Sequence, residues 1–375
     1  MTEKVFPGLE GVLAGESAIC DVDHDSGGLL YRGYRIEDLA EGAAFEEVAY
    51  LLLIGRLPNR IALSEFSERL RQSRPLSENM TAFLSKIPAT ANPMDVLRTA
   101  VSLLGLEDPD SKYNDHQANL KKAIRLIAQI PSALAAWRRF PEKPVSDPAP
   151  TSSVPPCSHA ANILYLLTGV RPDPFSEKVM NVSLILYAEH EFNASTFAAR
   201  VTASSLSDMH SAITSAIGSL KGPLHGGANE KVMETLLEIG EAGRVEAYIR
   251  DRLARKERIM GFGHRVLKKG DSRSDIIKRY ARELGERKND RKWFDLSNRI
   301  EEIMRKEKGL YPNLDFYSAS AYYLLGLPVQ LDTPLFVCSR ISGWTAHVIE
   351  QHDHNRLIRP RCLYTGPRGL TYLPL

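Results

Sequence analysis

Four short segments carry side chains suited to chemistry rather than to helix packing. His190 closes an apolar stretch in Tyr187-Ala-Glu-His-Glu-Phe-Asn193, and His225 stands in a Gly/Pro-rich turn, Lys221-Gly-Pro-Leu-His-Gly-Gly227. His264 follows two glycines in Arg258-Ile-Met-Gly-Phe-Gly-His264, and Asp315 falls at a helix start in Tyr311-Pro-Asn-Leu-Asp-Phe-Tyr-Ser318. Each alone has an ordinary explanation. A single histidine is usually structural, Asp315 would serve as a helix N-cap, and Gly261 and Gly263 would simply form a turn. Their combination is less ordinary. Imidazoles in glycine-flanked turns can meet a ligand at close range, and turns carry functional groups more often than helix interiors do.

Three arginines point to the kind of ligand. Arg273, Arg340 and Arg359 lie downstream of the histidines. The planar guanidinium fork makes two parallel hydrogen bonds to a carboxylate, which suits it to acidic ligands. With the histidines and the aspartate, these arginines suggest a site for a small di- or tricarboxylate.

These residues must be held by a large, mostly helical protein. The chain has 375 residues, 43% of them hydrophobic, enough for a sizeable core and for two domains. Net charge is +2, so nothing at the whole-chain level points to nucleic acid. The first residues contain acids and no apolar stretch of signal-peptide length, and no apolar run approaches a membrane span, so a cytoplasmic protein is expected. Four cysteines without a CxxC pair fit neither a zinc site nor a disulfide framework.

Apolar spacing predicts helices over 36–53, 63–71, 93–104, 120–139, 160–167, 176–190, 194–219, 229–238, 244–255, 274–284, 293–308 and 333–352. Pro131 should kink or break the fourth of these. Six prolines between 140 and 156 mark that stretch as a loop, most simply a surface loop. The glycine-bracketed segment 27–33 could pair with 18–22 as a small hairpin. The fold class is therefore mainly α.

At this point the chain resembles the citrate synthase family, which includes 2-methylcitrate synthases. The motifs Gly222-Pro-Leu-His-Gly-Gly-Ala-Asn229, Gly261-Phe-Gly-His-Arg265 and Pro312-Asn-Leu-Asp-Phe-Tyr-Ser318 match it in order and spacing, and the likeness runs almost end to end. The resemblance implies a two-domain helical fold: a large domain of residues 1–221 and 327–375, and a smaller mobile domain of 222–326. It implies condensation of acetyl-CoA with oxaloacetate to give citrate and CoA. Asp315 would be the general base, His225 the hydrogen-bond donor to the thioester oxygen, and His264 the group that polarises the oxaloacetate carbonyl. His190, Arg273 and Arg340 would hold oxaloacetate. Arg359 would reach the site of a second subunit in a homodimer, and Arg74 is a weaker match to a substrate contact. Arg258, Ile259, Met260, Gly261 and Phe262 would face CoA, with Lys268 near a CoA phosphate. No cofactor or metal is implied, since acetyl-CoA is a substrate.

The chain departs from the pattern at Ser272, where the family commonly has proline, so that turn should be less constrained. Three other readings stand beside this one. One is a 2-methylcitrate synthase using propionyl-CoA, and another is a non-catalytic CoA- or carboxylate-binding protein. The third is a metal site at His347, Glu350, His352, Asp353 and His354, a cluster read instead as a polar helix end.

Overall fold

The computed structural model describes residues 5–23, 28–139, 157–263 and 270–374. The expected loop over 140–156 lies outside the described residues, as do His264 and Lys268. Among the described residues the chain forms sixteen α-helices and one small sheet. The helices are α1 (Ile36–Gly42), α2 (Phe45–Ile54), α3 (Arg60–Gln72), α4 (Glu78–Leu84), α5 (Pro93–Glu107), α6 (His116–Arg139), α7 (His159–Thr168) and α8 (Pro174–Tyr187). They continue with α9 (Ala194–Ser204), α10 (Met209–Leu220), α11 (Ala228–Ile239), α12 (Val245–Ala254), α13 (Ser272–Arg287), α14 (Lys292–Lys308), α15 (Leu314–Leu324) and α16 (Asp332–Asp353). No described helix is long and apolar enough to cross a membrane.

The expected hairpin is present and gains a strand. β1 (Cys20–Val22) pairs antiparallel with β2 (Leu29–Tyr31), and β2 with β3 (Tyr34–Arg35). Arg32 and Gly33 join β2 to β3, both at positive φ (50° and 88°), which matches the right-handed twist of the strands they connect. Tyr31 reaches from β2 into the core, where its hydroxyl donates to the Glu189 carbonyl at 2.9 Å.

Three helix expectations need correction. The stretch 36–53 is two helices, because α1 closes at Ala43 and the Glu47 side chain caps a new start by accepting the Ala44 N–H. The stretch 194–219 is also two: Leu206 turns the chain at φ 64°, and Asp208 caps α10 by accepting the Ser211 N–H. Pro131 does not break α6, which runs from His116 to Arg139. The missing N–H forfeits one hydrogen bond, but α6 is buried along most of its length against α16, and that packing outweighs the loss.

α16 is the central element, buried along nearly its whole length and packed on α2, α6, α8, α9 and α10. It meets the end of α8 with no clearance. A Cβ on Gly343 would lie 2.0 Å from Glu189 Oε2 and 2.4 Å from the Ala188 carbonyl, so only glycine fits that crossing. The Ser339 hydroxyl donates to the Leu184 carbonyl beside it. In a second group of helices, α11, α13 and α14 pack around α15.

Candidate active site

The turn at 261–263 and the start of α15 are laced into one unit. The Asn313 N–H donates to the Gly261 carbonyl at 2.9 Å, the Gly263 N–H to the Tyr311 carbonyl at 3.0 Å, and the Asn313 amide to the Gly263 carbonyl at 3.1 Å. Glycine at 261 is required twice over. Its φ is +81°, and a Cβ there would stand 2.7 Å from Phe316 and from Val232. The Phe262 ring packs 4.5 Å from that of Phe316. Of the segment matched to CoA, Arg258 is exposed, Ile259 and Met260 lie against the core, and Gly261 and Phe262 form this junction.

Asp315 is not the N-cap of α15. Asn313 takes that position and accepts the Asp315 N–H at 3.1 Å, which places Asp315 in the first turn with its side chain free to point elsewhere. The Tyr187 hydroxyl donates to Asp315 Oδ1 at 2.7 Å and lies 2.6 Å from Ser318 Oγ. Desolvation pushes the Asp315 carboxyl up to about 6, against the opposing pull of the Tyr187 hydrogen bond and the Arg273 charge. A helix N-terminus would favour the ionised form, but enclosure by protein dominates. The result is a carboxylate basic enough to take a proton near neutral pH.

His225 is aimed by its turn. Its N–H donates to the Gly222 carbonyl at 2.9 Å, and Gly226 sits where a Cβ would meet the Leu220 carbonyl at 2.3 Å. The Ser195 backbone N–H donates to His225 Nε2 at 3.2 Å, and Ser195 Oγ lies 2.8 Å from the same nitrogen. A backbone N–H can only donate. The hydrogen-bond network therefore assigns Nε2 as acceptor and puts the ring proton on Nδ1. Ser195 is itself held by the Trp344 indole, which donates to its Oγ at 3.1 Å, and that Oγ lies 2.8 Å from the side-chain Oδ1 of Asn193. Burial, helped by the Arg340 charge, pulls His225 down to about 4, so it is a neutral donor at physiological pH.

Phe336 gathers the pieces. Its ring lies 4.6 Å from that of Tyr187 and 6.5 Å from that of His225, and the Arg340 guanidinium stacks on it at 4.5 Å. Arg340 is buried, with its Nε donating to the Tyr187 carbonyl at 2.6 Å. Among the described residues no carboxylate forms an ion pair with it. Burial lowers its pKa and the field of Glu189 opposes that, leaving an arginine that stays charged.

Arg273 is also buried and makes a two-pronged pair with Asp271, Nε to Oδ1 and Nη2 to Oδ2, both at 2.9 Å. Asp271 caps α13 through the Arg273 N–H and accepts the Leu314 N–H at 3.2 Å. The turn that lacks the family's proline is thus tied by Asp271 to the start of α15. His190 is buried at the end of α8, where its N–H donates to Glu189 Oε1 at 2.8 Å. The same oxygen accepts His347 Nε2 at 3.1 Å.

The described site therefore joins Asp315, His225 and Arg340, with Arg273 exerting its charge on Asp315. Arg74 is buried, donates to the Cys157 carbonyl at 3.3 Å and shares a polar cluster with Glu46 and His159. Arg359 is exposed on the segment that follows α16. The candidate metal ligands near the end of α16 have other partners. His347 bonds Glu189 and Arg200, Glu350 bonds Arg200 and the Ala18 N–H, His352 bonds Asn119, and Asp353 bonds His116. Tyr187, Ser195, Phe336 and Asp271 were not singled out from sequence. Nothing in the local pattern sets Tyr187 or Phe336 apart from aromatics that only pack.

Comparison with known proteins finds relatives along the whole chain. The family model for the citrate synthase C-terminal domain matches residues 8–361. Citrate synthase 2 of Bacillus subtilis is 48% identical over 371 residues, 98% of either chain. The 2-methylcitrate synthase of Shewanella oneidensis is 45% identical over 368 residues, 98% of this chain and 96% of that one. A solved ternary complex of citrate synthase from Thermoplasma acidophilum with carboxymethyl coenzyme A and oxaloacetate superposes with a TM-score of 0.91 at 34% identity. It covers 100% of this chain and 99% of that one. With a family model matched over residues 8–361 and relatives near half identical over almost the whole chain, the chain belongs to the citrate synthase family.

Proposed function

We propose that this enzyme condenses an acyl-CoA thioester with oxaloacetate, acetyl-CoA giving citrate and CoA. The observation that carries the reading is the pairing of Asp315, raised to about 6, with a neutral His225 whose Nδ1–H is its remaining donor. Asp315 removes a proton from the carbon next to the thioester. His225 donates to the thioester oxygen as negative charge develops there, a contribution of about 10²–10³ in rate. The enol carbon attacks the keto carbon of oxaloacetate, and the family motif gives His264 the role of donating to the resulting alkoxide. Water then cleaves the thioester and releases CoA.

Arg340, Arg273 and His190 are proposed to hold the oxaloacetate carboxylates. Arg340 suits this because it is buried without a carboxylate ion pair among the described residues. Arg359 is proposed to complete the site of a second copy in a homodimer. Its exposure on the single chain, followed by exposed Leu363, Tyr364, Leu370 and Tyr372, supports a role outside its own subunit. Arg74 is kept as a substrate contact only through its weaker motif match, since its neighbours are Cys157, Glu46 and His159. The segment 258–262 with Lys268 is proposed for CoA. Residues 222–326 are proposed to close as a small domain on 1–221 and 327–375, bringing Asp315 and His225 onto the bound diacid. No cofactor is proposed, so full activity should survive exhaustive chelation. A reducing, cytoplasmic setting is proposed from four cysteines that stand unpaired.

The test is CoA thiol release that requires both oxaloacetate and acetyl-CoA. Release independent of oxaloacetate, or none, would overturn the reading. The 2-methylcitrate alternative rests on relatives bearing that name. One methylene is worth only about 1–3 kcal/mol in a pocket, so kcat/KM for acetyl-CoA and propionyl-CoA measured together decides between them.

A further inference from the structure

We infer that Tyr187 is a positioning residue of this reaction: its hydroxyl aims the Asp315 carboxylate, while its backbone carbonyl fixes the Arg340 guanidinium in the same site. The inference rests on the condensation reading and deepens it. Tyr187 ends α8 and is 1% exposed, packed on Phe336. Packing alone would be met by phenylalanine. The hydroxyl instead reaches Asp315 Oδ1 at 2.7 Å and Ser318 Oγ at 2.6 Å, and the carbonyl of the same residue receives Arg340 Nε at 2.6 Å. One residue thus spaces the proton acceptor from the guanidinium proposed to hold the electrophile.

The phenol has one proton and two neighbours for it. An ionised Asp315 is the stronger acceptor, so the phenol donates to it and Ser318 donates to the phenol. Once Asp315 has taken the substrate proton, Ser318 can accept from the phenol instead. Among the described residues, the other charged or titratable groups that act on this pair are Arg273, Asp271, Arg340, Asp332 and Tyr322. None of them is removed by a change at position 187. Burial raises the phenol well above its ordinary range, so it stays protonated through the working range.

The experiment compares pH profiles of kcat for the full-length parent and Tyr187→Phe. Loss of a hydrogen bond to the ionised form should move the acid limb upward by about one pH unit. At pH 6 that is a loss of about fivefold, approaching about tenfold at lower pH, beyond any change at the alkaline plateau, with KM for oxaloacetate within about twofold, because the carbonyl to Arg340 is retained. An acid limb left in place, in a variant that melts like the parent, overturns the inference while the parent's activity upholds the condensation reading. A parent without oxaloacetate-dependent CoA release overturns both. Should Tyr187→Phe fail to fold, 3,5-difluorotyrosine incorporated at position 187 keeps ring and hydroxyl with a stronger donor. The limb should then move downward, and an unmoved limb again overturns the inference.

Discussion

Asp315 serves the chemistry at the expense of the fold. Its carboxyl stands near 6 in the folded protein, above the ordinary 3.8, because burial disfavours the charge. The folded state therefore binds this proton more readily than the unfolded chain. The stability linked to it is fully present below about pH 4 and is lost as pH rises through about 6. Asp315→Asn cannot titrate, so above pH 7 it should be more stable than the parent by an amount on the order of 3 kcal/mol, the gap closing below pH 4. Denaturant melts at both pH values check this. The same variant should lose turnover by about 10²–10⁴ while calorimetry shows oxaloacetate binding retained. For His225, nitrogen NMR should find the proton on Nδ1 across the neutral range, and a proton on Nε2 would remove its assigned role. Both residues were legible in sequence because glycines and a helix start flank them. Tyr187 and Phe336 were not, since a buried aromatic that also touches a site leaves the same pattern as one that only packs.

At the scale of elements, the helices were legible from apolar spacing, but their ends were not. Nothing in Gly42-Ala-Ala-Phe45 marks where α1 yields to α2 apart from one glycine, and the division is made by the Glu47 side chain folding back to Ala44. Pro131 misled for the opposite reason: a strong local signal was overruled by burial. The junction between the 261–263 turn and α15 is where an element-level prediction is sharpest. Gly261→Ala combines a left-handed backbone with contacts of 2.7 Å to Phe316 and Val232. It should cost about 1–3 kcal/mol and raise KM for acetyl-CoA more than for oxaloacetate. Thermal melts and Michaelis constants read the two effects separately.

For the whole molecule, the fold class and family were legible because long helices and ordered motifs persist along the chain. The relation between its parts was not, because composition says nothing about how α11–α15 sit against the rest. If the site is completed by a second copy, Arg359→Ala and Asp315→Asn subunits, each nearly inactive alone, should recover a clear fraction of activity when unfolded together and reassembled. No recovery would place Arg359 outside the partner's site. Scattering should likewise register compaction when oxaloacetate is added.

The bare backbone contact at Gly343 has a consequence for laboratory evolution. Even a methyl group there would collide with Glu189 and with the carbonyl of Ala188 at the end of α8. In a saturation library scored for growth, codon 343 should return glycine alone. Attempts to toughen the enzyme by filling gaps along α16 should find every productive change away from that crossing.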